Sequence, residues 1–487
     1  MSENVSMEEF LEVEKKYNLY AKEADGVNYW NYARFVLWHN IILKNKLALE
    51  QAHNGAGKKL KVQVKNLAQM LFRCVYRDHR LYKQVDVCFI NHPRKVLVDD
   101  YYTCLYTDEI KELFVNSVTL EFPYQGTHYK PSKDEKIIYM DYLFVTRGIY
   151  TRIFKGLAKK QCNRLYDTIK GQIRVPLQEI EKKYSLKLKE QEIVDLMLDY
   201  VIYYKASYKK IEKLLKKLRP KVLVEVVGYD HDCMMFNEAS RKLGITTVEL
   251  QHGNMADHCA YNYRTEKTVK QLPEKIFLFS DFWKEYMRMP INSKDVITTG
   301  FPFFEKKMKE TPKIPKYDDG KTNILFVSQG PIGKKLSRVA VELSQLLDKE
   351  KYRIFYKLHP GEYTVWREKY DELSKTNIIV LDSNKSNIYD YFATCHVQIG
   401  VYSTALYEGL GFGLLTYVLK VEMSERMERL CNAGYAEYFQ DAMSLKNKIE
   451  QSITECDKEK ESGKFWKVNA LNNMVDNIEN VLHNGEK

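Results

Sequence analysis

The sequence NILFVSQGPIGKKLSRVAVELSQLLDKEKYRIFYKLHP, residues 323–360, places two strand-like runs on either side of a helix-like one. NILFVS and RIFYKL are short and rich in β-branched and aromatic residues, and the stretch near 333–349 between them is amphipathic. The alternation continues downstream through IIVLD (378–382), VQIGVY (397–402) and LTYVLK (415–420). Continuous apolar strands separated by helices predict a parallel sheet that is covered on both faces.

The first half of the chain shows the same alternation less regularly. A helix is predicted at 234–243, between two of five strand-like runs. Those runs are DVCFIN (86–91), IIYMDYLFV (137–145), KVLVEVVG (221–228), TTVELQ (246–251) and KIFLFS (275–280). The sequence therefore predicts an α/β protein with two Rossmann-like, doubly wound domains.

A lysine- and proline-rich segment separates the two predicted sheets. TTGFPFFEKKMKETPKIPKYDDGKTN (298–323) has no hydrophobic period, which is typical of a linker. We expect an N-terminal domain over 1–310, a C-terminal domain over 321–460, and a final helix within 461–487 that packs back toward the N-terminal domain. Two such domains would enclose a cleft between the carboxyl ends of their strands, where open α/β sheets bind ligands.

Composition narrows the class of protein. A length of 487 residues with 45% hydrophobic and 29% charged residues fits two or three ordinary globular domains. The formal net charge of +11 is spread along the chain, which favours anionic partners without indicating nucleic acid. No run approaches the roughly 18 apolar residues that span a bilayer, and the start MSENVSMEEF is acidic where a signal peptide is basic. We therefore expect a cytoplasmic protein that is neither integral nor secreted.

The cysteine pattern also indicates a cytoplasmic protein. The chain has nine, all single, without a CxxC pair. This pattern is typical of free thiols in a reducing cytosol, and neither Cys nor His clusters at zinc-ligand spacing. We expect no metal in the fold.

A long helix pattern at 187–219 combines tyrosines with a basic end. Its tyrosines are Tyr200, Tyr203, Tyr204 and Tyr208, and its basic residues are Lys209, Lys210, Lys213, Lys216, Lys217 and Arg219. One interpretation is a core-facing stripe with a solvated basic end. The other is a surface that meets phospholipid headgroups or an anionic lipid-linked acceptor.

The strand at 353–358 ends in KLHPGE, which places Lys357, His359 and Pro360 at its carboxyl edge. Pro360 biases His359 toward an extended backbone, so the imidazole is expected at the rim of the sheet, where it can donate to a phosphate oxygen. Lys357 adds charge if it points the same way. The alternative is a turn histidine that caps the next helix.

Two further loops end strands of this domain. Ser403 and Thr404 stand between a strand and a helix, where hydroxyls either cap the helix or hold a phosphate together with its free N–H groups. Glu408 follows one turn later and can accept both ribose hydroxyls. In VSQGPIGKK (327–335), Gln329 and Gly330 suit backbone contact with a nucleotide, although the loop matches neither a dinucleotide fingerprint nor a P-loop.

In the first domain, VVGYDHD (226–232) and ELQHG (249–253) both end strands. Asp230, His231, Asp232 and His252 are therefore candidates for a general base, with Asp230 ahead of His252. Asp230 and Asp232 could instead hold a divalent cation, or these residues could be turn and N-cap residues without chemistry. We favour the metal-free interpretation because His359, Lys357 and a helix N-terminus are available to the donor phosphates.

The order of these motifs resembles the GT-B glycosyltransferases of bacterial surface polysaccharide synthesis. The resemblance covers about 221–420 and rests on QHG, KIFLFS with ITTGFP, ILFVS, KLHP and YSTALYEGLGFG. Within that class the chain is similar to the groups with paired HP and S-S/T motifs: sialyl- and polysialyltransferases, Kdo transferases, and CDP-glycerol glycerophosphotransferases. The resemblance implies that His359, Ser403 and Thr404 hold the phosphate of the nucleotide.

The same resemblance leaves the base open, because GYDHD and QHG stand where sialyltransferases carry a D/E-D/E-G motif. It implies a donor-binding C-terminal domain, an acceptor-binding N-terminal domain, and a cytoplasmic enzyme that acts on a lipid-linked saccharide at the inner membrane face. We predict sugar transfer from a CMP- or CDP-linked donor to a saccharide hydroxyl, without a cofactor. The alternatives are a CDP-alditol phosphotransferase of teichoic-acid type, a UDP-sugar 2-epimerase-like enzyme, and a non-catalytic saccharide-binding scaffold.

Overall fold

The structure is a computed structural model that describes residues 5–46, 70, 72, 84–92, 95–98, 100–124, 126–256, 258–311, 317, 319–383, 387–454 and 462–484. The chain forms two compact units. The first unit contains Val5–Lys46, Lys58–Phe303 and Lys467–Lys487, and the second contains Phe304–Trp466.

The first unit is built on a parallel sheet. Its strands are β1 (Val87–Ile90), β2 (Val96–Val98), β3 (Tyr101–Thr103), β4 (Ser117–Glu121), β5 (Ile137–Tyr139), β6 (Val222–Val226), β7 (Thr246–Leu250), β8 (Lys275–Leu278) and β9 (Val296–Thr298). Seven of them pair in the order β5-β4-β1-β6-β7-β8-β9, and β2 with β3 forms a separate antiparallel pair. The chain thus starts in the middle of the sheet, adds strands on one side, and then returns to extend the other side.

Helices surround this sheet. The described α-helices of the first unit are Met7–Lys16, Tyr29–Val36, Lys44–Lys46, Asp108–Lys111, Asp141–Leu157, Lys159–Tyr184, Glu190–Leu218, His231–Leu243 and Ala470–Asn484, with a π-helix at Leu37–Leu43. Short 3₁₀ helices lie at Leu19–Ala21, Cys259–Tyr261, Asp281–Tyr286 and Ser293–Asp295. Met474 and Ile478 of the Ala470–Asn484 helix belong to the same buried cluster as Val87, Phe89 and Val224, so this C-terminal helix completes the core of the first unit.

The second unit has a six-stranded parallel sheet. Its strands are β10 (Thr322–Val327), β11 (Tyr352–Lys357), β12 (Ile379–Leu381), β13 (Val397–Gly400), β14 (Leu415–Leu419) and β15 (Glu437–Phe439). Their spatial order is β12-β11-β10-β13-β14-β15, which is the Rossmann order. Because parallel crossovers are right-handed, this order places helices on both faces. The structure confirms the predicted fold class of two Rossmann-like parallel α/β units.

The helices of the second unit follow its strands in turn. They are Pro302–Glu310, which begins in the first unit, Gly333–Leu346, Trp366–Lys369, Ile388–Thr394, Thr404–Gly411, Glu428–Asn432 and Ala442–Thr454. Short 3₁₀ helices lie at Pro360–Glu362, Asp371–Lys375, Ser424–Met427 and Ser462–Lys464. Leu336 and Leu343 of one helix and Leu445 of another pack with Phe326 and Ile399 of the sheet.

Two predicted segments differ from the structure. The run 137–145 was expected to be one strand, but β5 ends at Tyr139 and a helix begins at Asp141. The residues after Tyr139 satisfy helical periodicity, since the buried positions of that helix include Leu143, Arg147 and Phe154, which are spaced four and seven residues apart.

The second difference lies in the predicted linker. Helix Pro302–Glu310 occupies its first part, with proline at the first helical position, where its missing N–H costs nothing. Phe304 anchors this helix because its ring lies 4.2 Å from that of Trp466. Residues 312–316 and 318 of the predicted linker lie outside the described residues.

The long helix predicted at 187–219 is present as Glu190–Leu218. Its tyrosines are half-buried and contact other residues of the first unit: Tyr204 stacks on Tyr208 with ring centroids 4.7 Å apart and donates to Glu238 at 2.9 Å. Lys213 and Lys216 are exposed. These contacts fit the core-facing interpretation of the stripe.

Two further sequence expectations concern thiols and membrane spans. Seven cysteines are free thiols in the described part of the chain, and Cys74 and Cys456 lie outside it. The helices of the described residues include none that is both long enough and apolar enough to cross a bilayer.

Candidate functional site

In the second unit the strand order reverses between β10 and β13, because the chain adds strands outward on one side of β10 and then on the other. Ligands of open α/β sheets bind at such a switch point. Gln329 follows β10 and Ser403 follows β13, so the two predicted binding loops flank this switch point. They are also in contact, since Gln329 Oε1 accepts from the backbone N–H of Tyr402 at 3.2 Å. Gly330 faces open space, because a Cβ built there would have no atom within 4 Å.

His359 lies at the end of β11, the strand beside β10. Its backbone is extended, with φ −66° and ψ 143°, as the following proline predicts. The residue is exposed, and its ring Nδ1 accepts from the N–H of Gly361 at 3.1 Å. The structure therefore contains the capping role that the sequence offered as the alternative. That role uses one ring nitrogen and holds the imidazole at the rim.

Glu362 was not predicted, yet it holds this loop in place. It is buried and accepts from the N–H of His359 at 2.8 Å, from the Ser328 hydroxyl at 3.2 Å and from the Tyr370 hydroxyl at 2.5 Å. These bonds tie the His-Pro turn to the loop after β10. A Cβ at Gly333 would lie 2.1 Å from the Tyr370 oxygen, so this tie also explains the glycine.

Lys357 is the last residue of β11, and its ammonium is nearly buried. It donates to the Tyr363 hydroxyl at 2.7 Å and to the Ser383 carbonyl at 3.2 Å. Burial lowers the pKa of Lys357 to about 8, with the nearby Asp382 carboxylate acting in the opposite direction. The side chain therefore does not project beside His359 as an exposed cation, as the sequence analysis allowed. It is buried beneath the His359-Pro360 turn, and because its pKa is about 8 the ammonium loses its proton at mildly alkaline pH.

Ser403 is the N-cap of helix Thr404–Gly411, and its hydroxyl accepts from the N–H of Ala405 at 3.3 Å. The first N–H groups of this helix point toward the switch point, where they suit an anion. Glu408 lies one turn further along and receives a hydrogen bond from Tyr389. Burial raises the pKa of Glu408 to about 7, which makes it a carboxyl that can accept or donate to a sugar hydroxyl.

In the first unit, His252 follows β7 and reaches the carboxyl edge of the sheet. Its Nε2 lies 3.3 Å from the Tyr229 hydroxyl, and its carbonyl accepts from Tyr106 at 2.8 Å. Nδ1 is buried and has no hydrogen-bond partner within the described part of the chain. Burial, with a smaller effect from His92, lowers the pKa of His252 to about 3, so the imidazole is neutral at physiological pH.

Aromatic rings and imidazoles collect around His252. The rings of His92 and Tyr106 lie 6.4 Å from it and that of Tyr229 lies 5.8 Å away, while His258 is 4.9 Å from Tyr229. This cluster was not predicted from the sequence. A signal was present, since His92 comes two residues after β1, as His359 comes two residues after β11, and both are followed by proline in the sequence.

Asp230 is the N-cap of helix His231–Leu243, and its Oδ1 accepts from the N–H of Asp232 at 2.9 Å. Half of its side chain is exposed. His231 and Asp232 are held differently: the buried Arg147 pairs with Asp232 and lies 2.7 Å from His231 Nε2. Asp230, His231 and Asp232 come close enough to surround a cation, but the guanidinium of Arg147 already supplies the positive charge.

Beneath the loop that carries Tyr229 and Asp230 lie two buried carboxyl groups, which the sequence analysis also missed. Glu225 on β6 pairs in register with Glu249 on β7. Glu249 accepts from Tyr261 at 2.9 Å and from the N–H of Gly228, and Glu225 accepts from Asn237 at 2.7 Å. The loop begins at Val227, whose φ of 63° is unfavourable for a β-branched residue.

Comparison with known proteins concerns the fold. No protein-family model matches this chain, and no curated protein sequence matches it. UDP-GlcNAc 2-epimerase from Neisseria meningitidis bound to UDP-GlcNAc is similar at 13% identity and a TM-score of 0.47, covering 82% of this chain and 100% of that one. The wall teichoic acid polymerase TagF is similar at 8% identity and a TM-score of 0.44, covering 88% and 100%.

Acinetobacter baumannii MurG is similar at 14% identity and a TM-score of 0.38, covering 57% of this chain and 79% of that one. Identities and TM-scores this low carry no argument about substrate or mechanism.

Proposed function

We propose that this protein is a metal-independent glycosyltransferase of GT-B type that uses a nucleotide-activated donor, with cytidine as the favoured base. One observation carries the proposal: the switch point between β10 and β13 is flanked by Gln329 on one side and the N-terminus of the Thr404–Gly411 helix on the other. This arrangement suits a nucleotide whose phosphate meets the helix N-terminus. The preference for cytidine comes only from the resemblance of the HP and S-T motifs.

In this proposal three groups of the second unit stabilise the leaving phosphate. The N–H groups at the start of the Thr404–Gly411 helix and the hydroxyls of Ser403 and Thr404 bind its oxygens. His359 donates to it from the rim of the neighbouring strand. Lys357 contributes positive charge from behind the loop while it stays protonated. Glu408, one turn into the helix, binds the ribose hydroxyls.

The first unit supplies the groups for the acceptor. A buried ring nitrogen without a partner costs free energy, which a bound hydroxyl would recover, and this favours His252 as a contact of the acceptor. When its Nε2–H donates to the Tyr229 oxygen, Nδ1 carries a lone pair that accepts the proton of the attacking hydroxyl. Asp230, which the sequence ranks ahead of His252, is the other candidate base, as an exposed carboxylate that also caps a helix.

The proposed acceptor is a saccharide, free or lipid-linked, and the proposed place of action is the cytoplasmic face of a membrane. The net charge of +11 is compatible with an anionic surface. Transfer of an alditol phosphate from a CDP-alditol is the second candidate, because an imidazole placed as His252 is can also accept the proton of a hydroxyl that attacks phosphorus.

The first test is a panel of CMP-, CDP-, UDP- and GDP-activated donors, with product masses read by mass spectrometry. Thermal shifts with the free nucleotides run in parallel, because a ligand at 100 times its dissociation constant adds about 2.7 kcal/mol to stability. We expect the largest shifts from CMP or CDP, and a hexose- or acid-sugar-sized mass gain on the acceptor. A gain of an alditol phosphate identifies the phosphotransferase, and epimerised donor without transfer identifies the epimerase.

Two variants tie the result to the site. His359→Ala is expected to cut turnover about 10²- to 10³-fold, which is the usual effect of removing one hydrogen-bond donor to the charge that develops in the transition state. Lys349→Ala, an exposed change in the same unit, is the matched control. If no nucleotide shifts the melting temperature and no donor is turned over, the saccharide-binding scaffold is the one alternative left.

A further inference from the structure

The helix Asp141–Leu157 presents an apolar stripe to solvent. Ile149 and Ile153 are each 53% exposed and Leu157 is 85% exposed. They are spaced four residues apart, so they lie along one side of the helix. Gly156 lies on the same side, where an added Cβ would meet nothing within 4 Å. Single exposed aliphatic residues are ordinary, but three in line on one helix form a surface that calls for a partner.

Positive charge surrounds this stripe. No Asp or Glu occurs between Asp141 and Asp167. That interval contains six basic residues: Arg147, Arg152, Lys155, Lys159, Lys160 and Arg164. Arg147 is buried against Asp232 and Lys155 pairs with Asp199 at 2.5 Å, whereas Arg152, Lys159, Lys160 and Arg164 are exposed.

This combination selects the kind of partner. Asp199 on the neighbouring helix is neutralised by Lys155, which leaves the four exposed basic residues in excess beside the stripe. An apolar stripe flanked by Lys and Arg is complementary to a bilayer surface that carries anionic headgroups. A second copy of this chain would bring the same positive charge, and the two surfaces would repel each other. The Glu190–Leu218 helix is less suitable, because its tyrosines are engaged within the first unit.

We propose that the stripe Ile149, Ile153 and Leu157, together with Arg152, Lys159 and Lys160, docks on an anionic membrane. We call these six residues the docking face. The helix lies in the plane of the interface, with the aliphatic side chains inserted among the acyl chains and the basic side chains at the phosphates. The proposal extends the membrane location given under the proposed function, but it holds whether or not sugar is transferred.

The test is sedimentation of the full-length protein with vesicles, without any substrate. We expect binding to phosphatidylglycerol vesicles and little binding to phosphatidylcholine vesicles. Replacement of the stripe by serine, as Ile149→Ser, Ile153→Ser and Leu157→Ser, should weaken binding about tenfold for each side chain removed. Replacement of the charges, as Arg152→Gln, Lys159→Gln and Lys160→Gln, should weaken it about fivefold for each charge.

Matched controls come from elsewhere in the first unit. Leu113→Ser with Val115→Ser removes two side chains that are 54% and 85% exposed. Lys213→Gln, Lys267→Gln and Lys270→Gln remove three exposed charges. Both control proteins should bind vesicles as the wild type does. All substituted positions are exposed, so the melting temperatures should stay close to that of the wild type.

The outcomes separate the alternatives. Binding that falls equally in the docking-face and control variants would overturn the proposal and indicate nonspecific attraction. Absence of binding by the wild type would also overturn it, as would self-association in solution that the serine variant abolishes, since the stripe would then join two copies. Because vesicle binding needs no donor, an inactive protein that binds normally would count against the proposed reaction alone.

Discussion

Glu225 and Glu249 stand directly opposite each other on neighbouring parallel strands, with both side chains on the same face of the sheet and both carboxyl groups buried. Burial raises the pKa of each, that of Glu249 to about 7, and their mutual repulsion adds to the effect for Glu225. Two carboxylates this close are not both ionised at neutral pH. The pair therefore shares at least one proton at neutral pH, and it lies directly beneath the loop that carries Tyr229 and Asp230.

The first prediction concerns pH and stability. The pKa of Glu249 rises on folding from 4.5 to about 7, so its contribution to stability is fully present below pH 4.5 and is lost as pH rises to about 7. The loss amounts to about 3 kcal/mol. Glu249→Gln cannot ionise, so urea unfolding should show it gaining stability relative to the wild type between about pH 5 and pH 8. An identical pH dependence in both proteins would contradict the shifted titration.

The second prediction concerns the close approach at Gly228. A Cβ there would lie 2.5 Å from Glu249 Oε2 and 2.8 Å from Glu225 Oε1. Both carboxyl groups are held by buried hydrogen bonds, so Gly228→Ala should cost about 1–3 kcal/mol, measured by chemical unfolding. Gly171→Ala is the control, because that helical glycine has nothing within 4 Å. The control should gain about 0.5–1 kcal/mol, and equal effects at both positions would refute this explanation.

The third prediction separates the two candidate bases. Asn caps helices as well as Asp does, so Asp230→Asn removes the charge while keeping the N-cap. If His252 takes the proton, Asp230→Asn should retain transfer, whereas His252→Asn should lose about 10²- to 10⁴-fold in turnover. Nucleotide dissociation constants should stay the same in both, since neither residue belongs to the second unit. The opposite pattern assigns the base to Asp230, and full activity in both variants excludes both.

The fourth prediction concerns Lys357 and the pH dependence of nucleotide affinity. With its pKa lowered to about 8, Lys357 is charged below that pH and neutral above it. Affinity for CDP should therefore fall as pH rises through about 8, by about 10- to 100-fold once the charge is lost. Titration calorimetry at about pH 7 and pH 9.5 measures this change. Lys357→Met should bind weakly at both, and Lys349→Met should behave as the wild type does.

The fifth prediction tests independence from metals. The proposed phosphate contacts are His359, Lys357 and a helix N-terminus, so turnover should survive EDTA. Activity that EDTA abolishes and Mg²⁺ restores would instead assign Asp230 and its neighbours to a cation. Inductively coupled plasma measurement of the purified protein before and after chelation provides the control.

The strands of the second unit were predictable from sequence because each is a short, continuous apolar run bounded by polar turns. The end of β5 was not, since IIYMDYLFV stays apolar across the change from strand to helix at Asp141. Local pattern also could not reveal the pairing of Glu225 with Glu249. Two acidic residues inside strands look like solvent-facing positions until the register sets them side by side.

The same limit applies to the site. Position after a strand predicted that His359, Ser403 and His252 lie at the carboxyl edges of their sheets, because the carboxyl ends of parallel strands share one edge, and the structure places them there. The direction and burial of side chains could not be predicted: Lys357 turns toward Tyr363, and Asp232 pairs with Arg147, which is 85 positions away along the chain. These features depend on contacts between distant segments, which periodicity does not encode.

The core of the first unit contains Met474 and Ile478, which the ribosome delivers after the whole of Phe304–Trp466. During synthesis the second unit is continuous and can close as soon as it emerges, whereas β1 and β6 must wait for the last helix to cover them. The first unit is thus the first to begin synthesis and the last to complete its core. A nascent chain arrested before residue 470 would expose apolar sheet to chaperones and proteases.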